Sequence, residues 1–298
     1  MYKPPEDKKP VMLAKHLHLI PEKKRVFPAI GDVKYDGVYA YMILREGDYR
    51  IFSRTGMQYT SLKHLEEVGK RMFLDNGKQQ VLIFEVHHPE YPINVISGYC
   101  RDQSEQHPEL IGIAHDMIPY EDFIEGYCKI QYGFRRRYLA SYINGYEFFS
   151  LPETHWCNSE EVAQVLFESV TSKGGEGVIL RNPAGVWIAG KRNADLIKIK
   201  EEISYDLEVT HVFKGSGKYS ETTGTVGCKF RLFGKEDGLW DTVLCSGMSD
   251  KQRNEWWRNP SLIIGKIVKV DAMTFTSTGL LREPRFKEVR EDKTEADF

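Results

Sequence analysis

The chain has 298 residues, of which 41% are hydrophobic, 28% charged and 12% aromatic. This composition excludes a wholly disordered chain, and the length suggests two domains or one large one. The formal charge of −2, from 41 basic and 43 acidic residues, excludes a uniformly basic coat for nucleic acid. No apolar run is long enough to span a membrane, and the N-terminus lacks the apolar core of a secretory signal. Five widely spaced cysteines fit a reducing compartment.

The hydrophobic pattern predicts mostly strands in the first two thirds of the chain. Apolar runs on both sides of Glu46-Gly47-Asp48 predict a hairpin, and helical spacing predicts a helix from Ser61 to Phe73. A helix is expected to start near Arg135, and another from Ser159 to Thr171. The apolar face of that last helix would consist of Val162, Val165, Leu166 and Val170. Further strands are expected at 81–86, 111–118, 177–180 and 195–200.

A domain boundary is expected near residue 203, giving a first domain of residues 1–203 and a second of residues 204–298. Short strands separated by turn residues are predicted after it, at 207–213, 226–233, 242–245 and 263–274. About 90 residues of this kind are typical of a small β-barrel or sandwich.

Two groups of lysines stand out because strand alternation puts them beside other charges. Lys34 and Asp36 would share one strand face before Gly37, as a nucleophile and its partner or as a surface ion pair. Lys198 and Lys200 would share another face, and like charges side by side are unfavourable unless an anion covers them. A phosphate site and a lysine-guarded edge strand both remain open.

Two further groups of charged residues can each be interpreted as a ligand-binding site or as a structural feature. Glu85 and Glu176 lie at strand ends, where a carboxylate could bind Mg²⁺ or could form hydrogen bonds that only stabilise the fold. Arg282, Arg285 and Arg290 near the C-terminus could bind phosphate or form a solvated tail.

Taken in order, these motifs resemble those of a known superfamily. They are Lys34-Tyr35-Asp36-Gly37, Ser53-Arg54-Thr55-Gly56, Glu85, Glu176-Gly177-Val178-Ile179, Leu196-Ile197-Lys198-Ile199-Lys200 and Arg290-Glu291-Asp292-Lys293. The sequence resembles the nucleotidyltransferases that comprise ATP-dependent DNA ligases, RNA ligases and mRNA capping enzymes, and most closely the compact bacteriophage-type DNA ligases. The resemblance runs from Val11 to Lys293. It implies an α+β fold: an adenylation domain of antiparallel sheets with flanking helices, followed by an all-β OB-fold barrel.

The resemblance also implies roles for individual residues. Lys34 would attack the α-phosphate of ATP, Asp36 would position the nucleophile or the sugar, and Lys198 and Lys200 would hold the α-phosphate as charge builds there. The residues expected to bind the nucleotide are Asp32, Val33, Lys34, Arg54, Glu85, His115, Lys191, Lys198, Lys200, Arg290, Asp292 and Lys293. Mg²⁺ is expected at Glu85 and Glu176.

Three departures from the family pattern are visible. The arginine that often follows the glycine of the lysine motif is missing from Val38-Tyr39-Ala40. Only the glutamate of the third motif is kept, in Ile83-Phe84-Glu85, and the adenine-stacking aromatic is replaced by His115. Because only 33 residues precede Lys34, a separate N-terminal DNA-binding domain is not expected.

The implied protein is an intracellular, cytoplasmic DNA ligase with no membrane partner, serving DNA repair, replication or recombination. It would act as a monomer that encloses nicked duplex DNA only partly. The alternatives are an RNA ligase, a GTP-using capping guanylyltransferase, and a non-catalytic OB-type nucleic-acid-binding protein. Basic residues are predicted to face one DNA surface: Lys23, Lys24, Arg25, Arg135, Arg136, Arg137, Lys198, Lys200, Lys266, Lys269, Arg282, Arg285 and Arg290.

Overall fold

The computed structural model describes residues 10–76, 79–235, 238–276 and 278–298. The chain forms two compact units, unit 1 from Met1 to Lys200 and unit 2 from Glu201 to Phe298. Within the described part of the chain, no helix combines the length and the apolarity needed to cross a membrane.

Unit 1 is built from strands with five helices among its described residues. Its strands are β1 (Leu13–His16), β2 (Ala29–Lys34), β3 (Val38–Arg45), β4 (Asp48–Ser53), β5 (Gln80–His87), β6 (Ile111–Pro119), β7 (Tyr127–Cys128), β8 (Phe149–Ser150), β9 (Thr154–Cys157), β10 (Gly177–Arg181), β11 (Trp187–Ile188) and β12 (Arg192–Lys200). Its helices are α1 (Lys63–Asn76), α2 (Ile93–Arg101), α3 (Tyr120–Glu125), α4 (Tyr132–Ile143) and α5 (Glu160–Thr171).

The longer strands of unit 1 form two mostly antiparallel sheets. Sheet 1 has the order β1-β12-β10-β2-β9, and sheet 2 has the order β4-β3-β5-β6-β8. The predicted hairpin is confirmed, because Arg45 pairs with Asp48 around a turn in which Glu46 and Gly47 have positive φ angles. One face of sheet 2 carries an apolar core with α1 and α4, and the other carries a second core around Trp187.

Helix α5 covers one face of sheet 1. Ser159 caps it as predicted, accepting a hydrogen bond from the Val162 amide. The predicted apolar face is wrong in part, because Val162 and Val165 are 43% and 65% exposed. Val170 is buried and Leu166 packs against the same core, as predicted, but Ala163 takes the place of the two exposed valines, so the apolar face is shifted from the predicted one.

Unit 2 is a curled sheet with one helix among its described residues. Its strands are β13 (Ile203–Lys214), β14 (Thr223–Arg231), β15 (Trp240–Cys245), β16 (Ile267–Ala272), β17 (Thr274–Phe275), β18 (Leu281–Arg282) and β19 (Arg285–Val289), and its helix is α6 (Asp250–Arg258). Sheet 3 has the order β15-β14-β13-β16-β19, and an isolated bridge between Ser246 and Arg285 brings its two edges together.

Two differences from the predicted elements have local causes. Residues 263–266 are not strand, because a 3-10 turn at Pro260–Leu262 precedes β16. Helix α6 is absent from the predictions, although Ser249 and Gln252 form a reciprocal capping box at its start.

Candidate active site

The pairing of sheet 1 gathers the predicted lysines on one face. Lys34, at the end of β2, lies opposite Gly177 of β10, and Gly177 lies opposite Lys200 of β12. The next row along the strands consists of Asp32, Ile179 and Lys198. Side chains of paired residues, and of residues two apart on a strand, project to the same face. The register therefore sets Lys34, Lys198 and Lys200 on one face, which is not the face covered by α5.

The face of sheet 1 that α5 covers is apolar. Ile197 and Ile199 are buried there, as the alternation along β12 predicts. The side chain of Val33 packs into the same layer. The predicted contact between Val33 and a nucleotide could therefore be made only by the Val33 backbone.

Lys34 forms an ion pair with Glu176, the residue directly before the neighbouring strand β10. Its Nζ lies 2.5 Å from Oε2 of Glu176, and the two side chains are 24% and 13% exposed. Gly177 follows Glu176 with a φ of 146°, and a Cβ at this position would lie 2.2 Å from the carbonyl oxygen of Ile199. Only glycine lets β10 approach β12 this closely beside the pair.

Glu85 of sheet 2 joins the same cluster. Its pKa is raised to about 7 by burial and by Glu176 and Asp36, against the opposing effect of Lys34 and Arg54. These four charged groups therefore act electrostatically on Glu85.

Loops after two strands complete the cluster. Arg54 is exposed in the turn that follows β4, and Asp36 lies in the loop after β2. That loop passes tightly over β5, because a Cβ on Gly37 would lie 2.7 Å from the carbonyl oxygen of Val86.

The raised pKa of Glu85 predicts a pH-dependent stability difference in a metal-free buffer. Between its ordinary value of 4.5 and about 7, the folded protein keeps a proton that the unfolded chain releases, so stability falls as pH rises through this window. Glu85→Gln should remove this penalty and be more stable than the parent by about 1–3 kcal/mol above pH 7. Below about pH 4.5 the two should match.

Urea unfolding in EDTA at several pH values measures this difference. The exposed carboxylate of Glu90 supplies the control, and Glu90→Gln should change stability by less than about 0.5 kcal/mol. A difference between Glu85→Gln and the parent that is the same at pH 5 and pH 8 would contradict the assignment.

A buried polar network supports the lysine-bearing face. The Asp32 carboxylate, 2% exposed, accepts hydrogen bonds from Thr154 Oγ1 at 2.8 Å, Arg181 Nε at 3.2 Å and Tyr132 Oη at 3.4 Å. The Tyr132 hydroxyl also lies 3.1 Å from the backbone oxygen of His115. Of these residues only Asp32 and His115 were predicted from the sequence, because the others carry no motif.

The prediction that Arg135, Arg136 and Arg137 all face DNA is wrong. Arg135 is buried and donates two hydrogen bonds to the Asp116 carboxylate, at 2.8 and 2.9 Å. Arg136 points toward Asp32, 3.6 Å away, and its side chain is 12% exposed. Only Arg137 of the three is exposed. The first two arginines therefore compensate buried carboxylates.

Two other predicted residues occupy distinct positions. His115 is the extra residue of a bulge in β6, because Ile83 pairs with Asp116 and Phe84 pairs with Ala114. Lys191 is exposed just before β12 begins, at the opposite end of that strand from Lys200. The structure does not bring Lys191 to the Lys34 cluster.

The tail motif is held by acidic groups within unit 2. Arg290 donates to Asp206 at 2.7 Å and to the two oxygens of Asp292 at 2.9 and 2.6 Å, and Lys293 pairs with Asp206. Burial disfavours the charge of Asp206, but Lys293 and Arg290 hold its pKa below the ordinary value. Asp206 therefore anchors the tail motif, and no motif in the sequence marks it.

Two family models match this chain. The ATP dependent DNA ligase domain matches residues 11–200, and the DNA ligase OB-like domain matches residues 214–290. This chain belongs to the ATP-dependent DNA ligase family. In this DNA ligase, the match to the ATP dependent DNA ligase domain includes the whole cluster around Lys34 and Glu85. The match to the OB-like domain ends at Arg290.

Several curated DNA ligases are similar to it. The DNA ligase of Enterobacteria phage T4 is 23% identical over 328 residues, covering 91% of this chain and 66% of that protein. That of Variola virus is 24% identical over 350 residues, covering 95% and 60%. That of Halobacterium salinarum is 32% identical over 158 residues, covering 46% and 28%. This chain spans less than two thirds of the length of each of these relatives.

Solved ligase structures share the fold. The structure named Pmar-Lig_PreS3 superposes with a TM-score of 0.76 at 24% identity, covering 93% of this chain and 67% of that one. A Lig E DNA ligase gives 0.68 at 18%, covering 94% and 98%, and the bacteriophage T7 ligase in complex with ATP gives 0.52 at 19%, covering 88% and 92%. The predicted fold class, an α+β adenylation domain followed by an OB-fold domain, is confirmed.

Proposed function

We propose that this chain is an ATP- and Mg²⁺-dependent DNA ligase that seals nicks in duplex DNA. The observation that carries the proposal is the Lys34–Glu176 pair on a sheet face shared with Lys198 and Lys200, in a member of this family. The reaction has three steps: Lys34 takes AMP from ATP, the AMP passes to the 5′-phosphate at a nick, and the 3′-hydroxyl then displaces it.

The first step requires an unprotonated amine at Lys34. Glu176 Oε2, 2.5 Å from Nζ, is within reach to accept the ammonium proton. The freed lone pair attacks the α-phosphorus, a P–N bond forms, and pyrophosphate leaves with the electrons of the broken P–O bond. Lys198 and Lys200 stabilise the charge that builds on the α-phosphate oxygens.

The residues fit a magnesium ion. Glu85 and Glu176 offer the hard carboxylate oxygens that Mg²⁺ prefers, and their mutual repulsion contributes to the raised pKa of Glu85. When bound there, Mg²⁺ would offset the negative charge of the phosphates.

The remaining assignments extend this proposal. Asp36 orients Lys34 or the sugar, Arg54 contacts the nucleotide or the nick phosphate, and His115 stacks on the adenine. Asp32 and the Val33 backbone line the nucleotide site, Lys191 contacts the nick, and the tail residues Arg290, Asp292 and Lys293 contact the pyrophosphate.

The protein would work inside the cell, in the cytoplasm, as a monomer that encloses DNA only partly. It would serve DNA repair, replication or recombination. We also propose residues 1–203 and 204–298 as the adenylation and OB-fold domains.

A nick-sealing assay tests the proposal. Nicked duplexes with DNA or RNA on either side of the nick are incubated with ATP or GTP, with Mg²⁺ or with EDTA. We expect sealing of the all-DNA nick with ATP and Mg²⁺, and none with GTP or EDTA. Sealing of RNA strands alone would indicate an RNA ligase, and covalent labelling by GTP alone would indicate a capping enzyme. Nucleic-acid binding without any covalent label would indicate a non-catalytic protein.

A further inference from the structure

Unit 2 contains a buried arginine that has no acidic partner. Arg253 of α6 is 6% exposed, its Nε lacks a hydrogen-bond partner, and no carboxylate lies within ion-pair distance of it among the described residues. The other two buried arginines in the described part of the chain, Arg135 and Arg181, pair with the carboxylates of Asp116 and Asp32. A charge that is removed from water is unfavourable unless an opposite charge compensates it. Arg253 therefore lacks the countercharge that the other two have.

The guanidinium of Arg253 is held against the turn of residues 215–222, which joins β13 to β14 and is called the Tyr219 turn below. Its Nη1 donates hydrogen bonds to the carbonyl oxygens of Thr223 and Gly224, at 2.6 and 2.7 Å. Its Cζ lies 4.3 Å from the centroid of the partly buried Tyr219 ring. These contacts fix the turn to α6 and place a positive charge against the ring.

A second cation contacts the same ring. Nζ of Lys218, an exposed residue of the turn, lies 4.6 Å from the centroid of Tyr219. The contact with Tyr219 raises the pKa of Lys218. Asp250 adds to this effect, whereas Arg253 opposes it. Lys218 and Arg253 are therefore two like charges close to one another, with the exposed Asp250 as a nearby acid.

The chemistry of the Tyr219 turn suits a phosphate group. Lys214 and Glu221, at the base of the turn, compensate each other as an ion pair at 3.3 Å. Lysine and arginine nitrogens only donate hydrogen bonds, and phosphate oxygens accept them. An anion at Lys218 would also lie close to Arg253, because one ring contacts both, and charges interact more strongly where water is excluded.

We propose that the Tyr219 turn binds a phosphate group, which Lys218 contacts directly while Arg253 positions the turn and supplies a second positive charge. The group is a backbone phosphate of DNA or a free phosphate ion. A DNA phosphate is the expected source, and this part of the inference rests on the proposed function. Neither Lys218 nor Arg253 is among the residues that the sequence predicts to face DNA.

Two measurements on the full chain distinguish the sources. The affinity for an intact duplex without ATP is measured by fluorescence anisotropy over a range of salt concentrations. For a DNA phosphate, Lys218→Met should weaken binding about 3–10-fold at low salt, and the slope of log affinity against log salt should become shallower by about 1. For a free phosphate, inorganic phosphate should raise the thermal midpoint of the parent above that in chloride at equal ionic strength, and Lys218→Met should lose this rise.

Lys251→Met is the matched control, because Lys251 is an exposed lysine of α6 two residues before Arg253. It should keep the affinity, the salt slope and the thermal midpoint of the parent.

Two variants of Arg253 test its positioning role. Arg253→Met should make the salt slope shallower, and Arg253→Lys, which keeps the positive charge, should restore most of the slope. A merely structural role would lower the thermal midpoint of both variants and leave the slope unchanged. Because Lys218 is exposed, its replacement tests the site even if the Arg253 variants are unstable.

Parent-like affinity and salt slope in Lys218→Met, together with no effect of inorganic phosphate on the parent, would overturn the inference. An equal loss of affinity in Lys251→Met would also overturn it, since any surface cation would then have the same effect. Both outcomes leave the proposed function intact. A parent that binds duplex DNA through Lys218 and never seals a nick would instead contradict the proposed function and support the phosphate site.

Discussion

Replacing Lys34 with methionine is expected to reduce sealing of an ordinary nick by at least about 10³-fold, because the chain then has no amine in position to take AMP from ATP. A nick that already carries AMP on its 5′-phosphate should still be joined within about tenfold of the parent rate. In that last step the 3′-hydroxyl displaces AMP, and the lysine amine forms no bond.

The comparison of the two substrates separates chemistry from folding. Lys70→Met is the matched control, because Lys70 is a half-exposed lysine of α1 that pairs with Asp48. It should seal both substrates at close to the parent rate. Equal loss on both substrates in Lys34→Met would indicate a damaged site and would contradict the assigned role of the lysine.

Breaking the Asp116–Arg135 pair is expected to give the largest loss of stability. Both residues are 3% exposed, and two hydrogen bonds of 2.8 and 2.9 Å join them. Arg135→Met leaves the Asp116 charge buried without its partner, which costs about 3–5 kcal/mol. Replacing both residues with apolar ones, Asp116→Leu with Arg135→Met, should recover much of this loss.

The free cysteines provide a readout for each unit. Cys100, Cys128 and Cys157 are buried in unit 1, and Cys228 and Cys245 are buried in unit 2. In thiol labelling across a urea titration, the unit 1 midpoint of Arg135→Met should fall by about 1–2 M.

The remaining thiols and a neighbouring arginine supply the controls. The unit 2 thiols should keep the parent midpoint in Arg135→Met. Arg137→Met, at an exposed position of the same helix, should shift neither unit by more than about 0.5 kcal/mol. A loss below about 1 kcal/mol in Arg135→Met would contradict the view that this pair is buried and essential.

Local periodicity was sufficient to predict the lysine-bearing face. The alternation of Lys198 and Lys200 with two isoleucines fixes which side chains share a face, and the spacing of two residues needs no knowledge of partners. The combination of this face with Lys34 depended on the register of three strands, which the family resemblance implied and local patterning did not.

Arg135 shows why other parts could not be predicted. In the sequence it is one of three consecutive arginines, and nothing nearby distinguishes it from a solvated charge. Its partner Asp116 comes from strand β6, so its burial is a consequence of tertiary packing. Val165 is the converse case, an apolar residue at helical spacing that is left exposed because Ala163 and Val170 face the sheet.

Identifying the residue that carries AMP tests the central claim most directly. The protein is incubated with ATP and Mg²⁺, and its peptides are analysed by mass spectrometry under conditions that preserve the phosphoramidate bond. We expect a single added AMP, on the lysine of Asp32-Val33-Lys34-Tyr35-Asp36, and none when Lys34 is replaced. An AMP on another residue, or a parent protein that seals nicks and never carries one, would contradict this account.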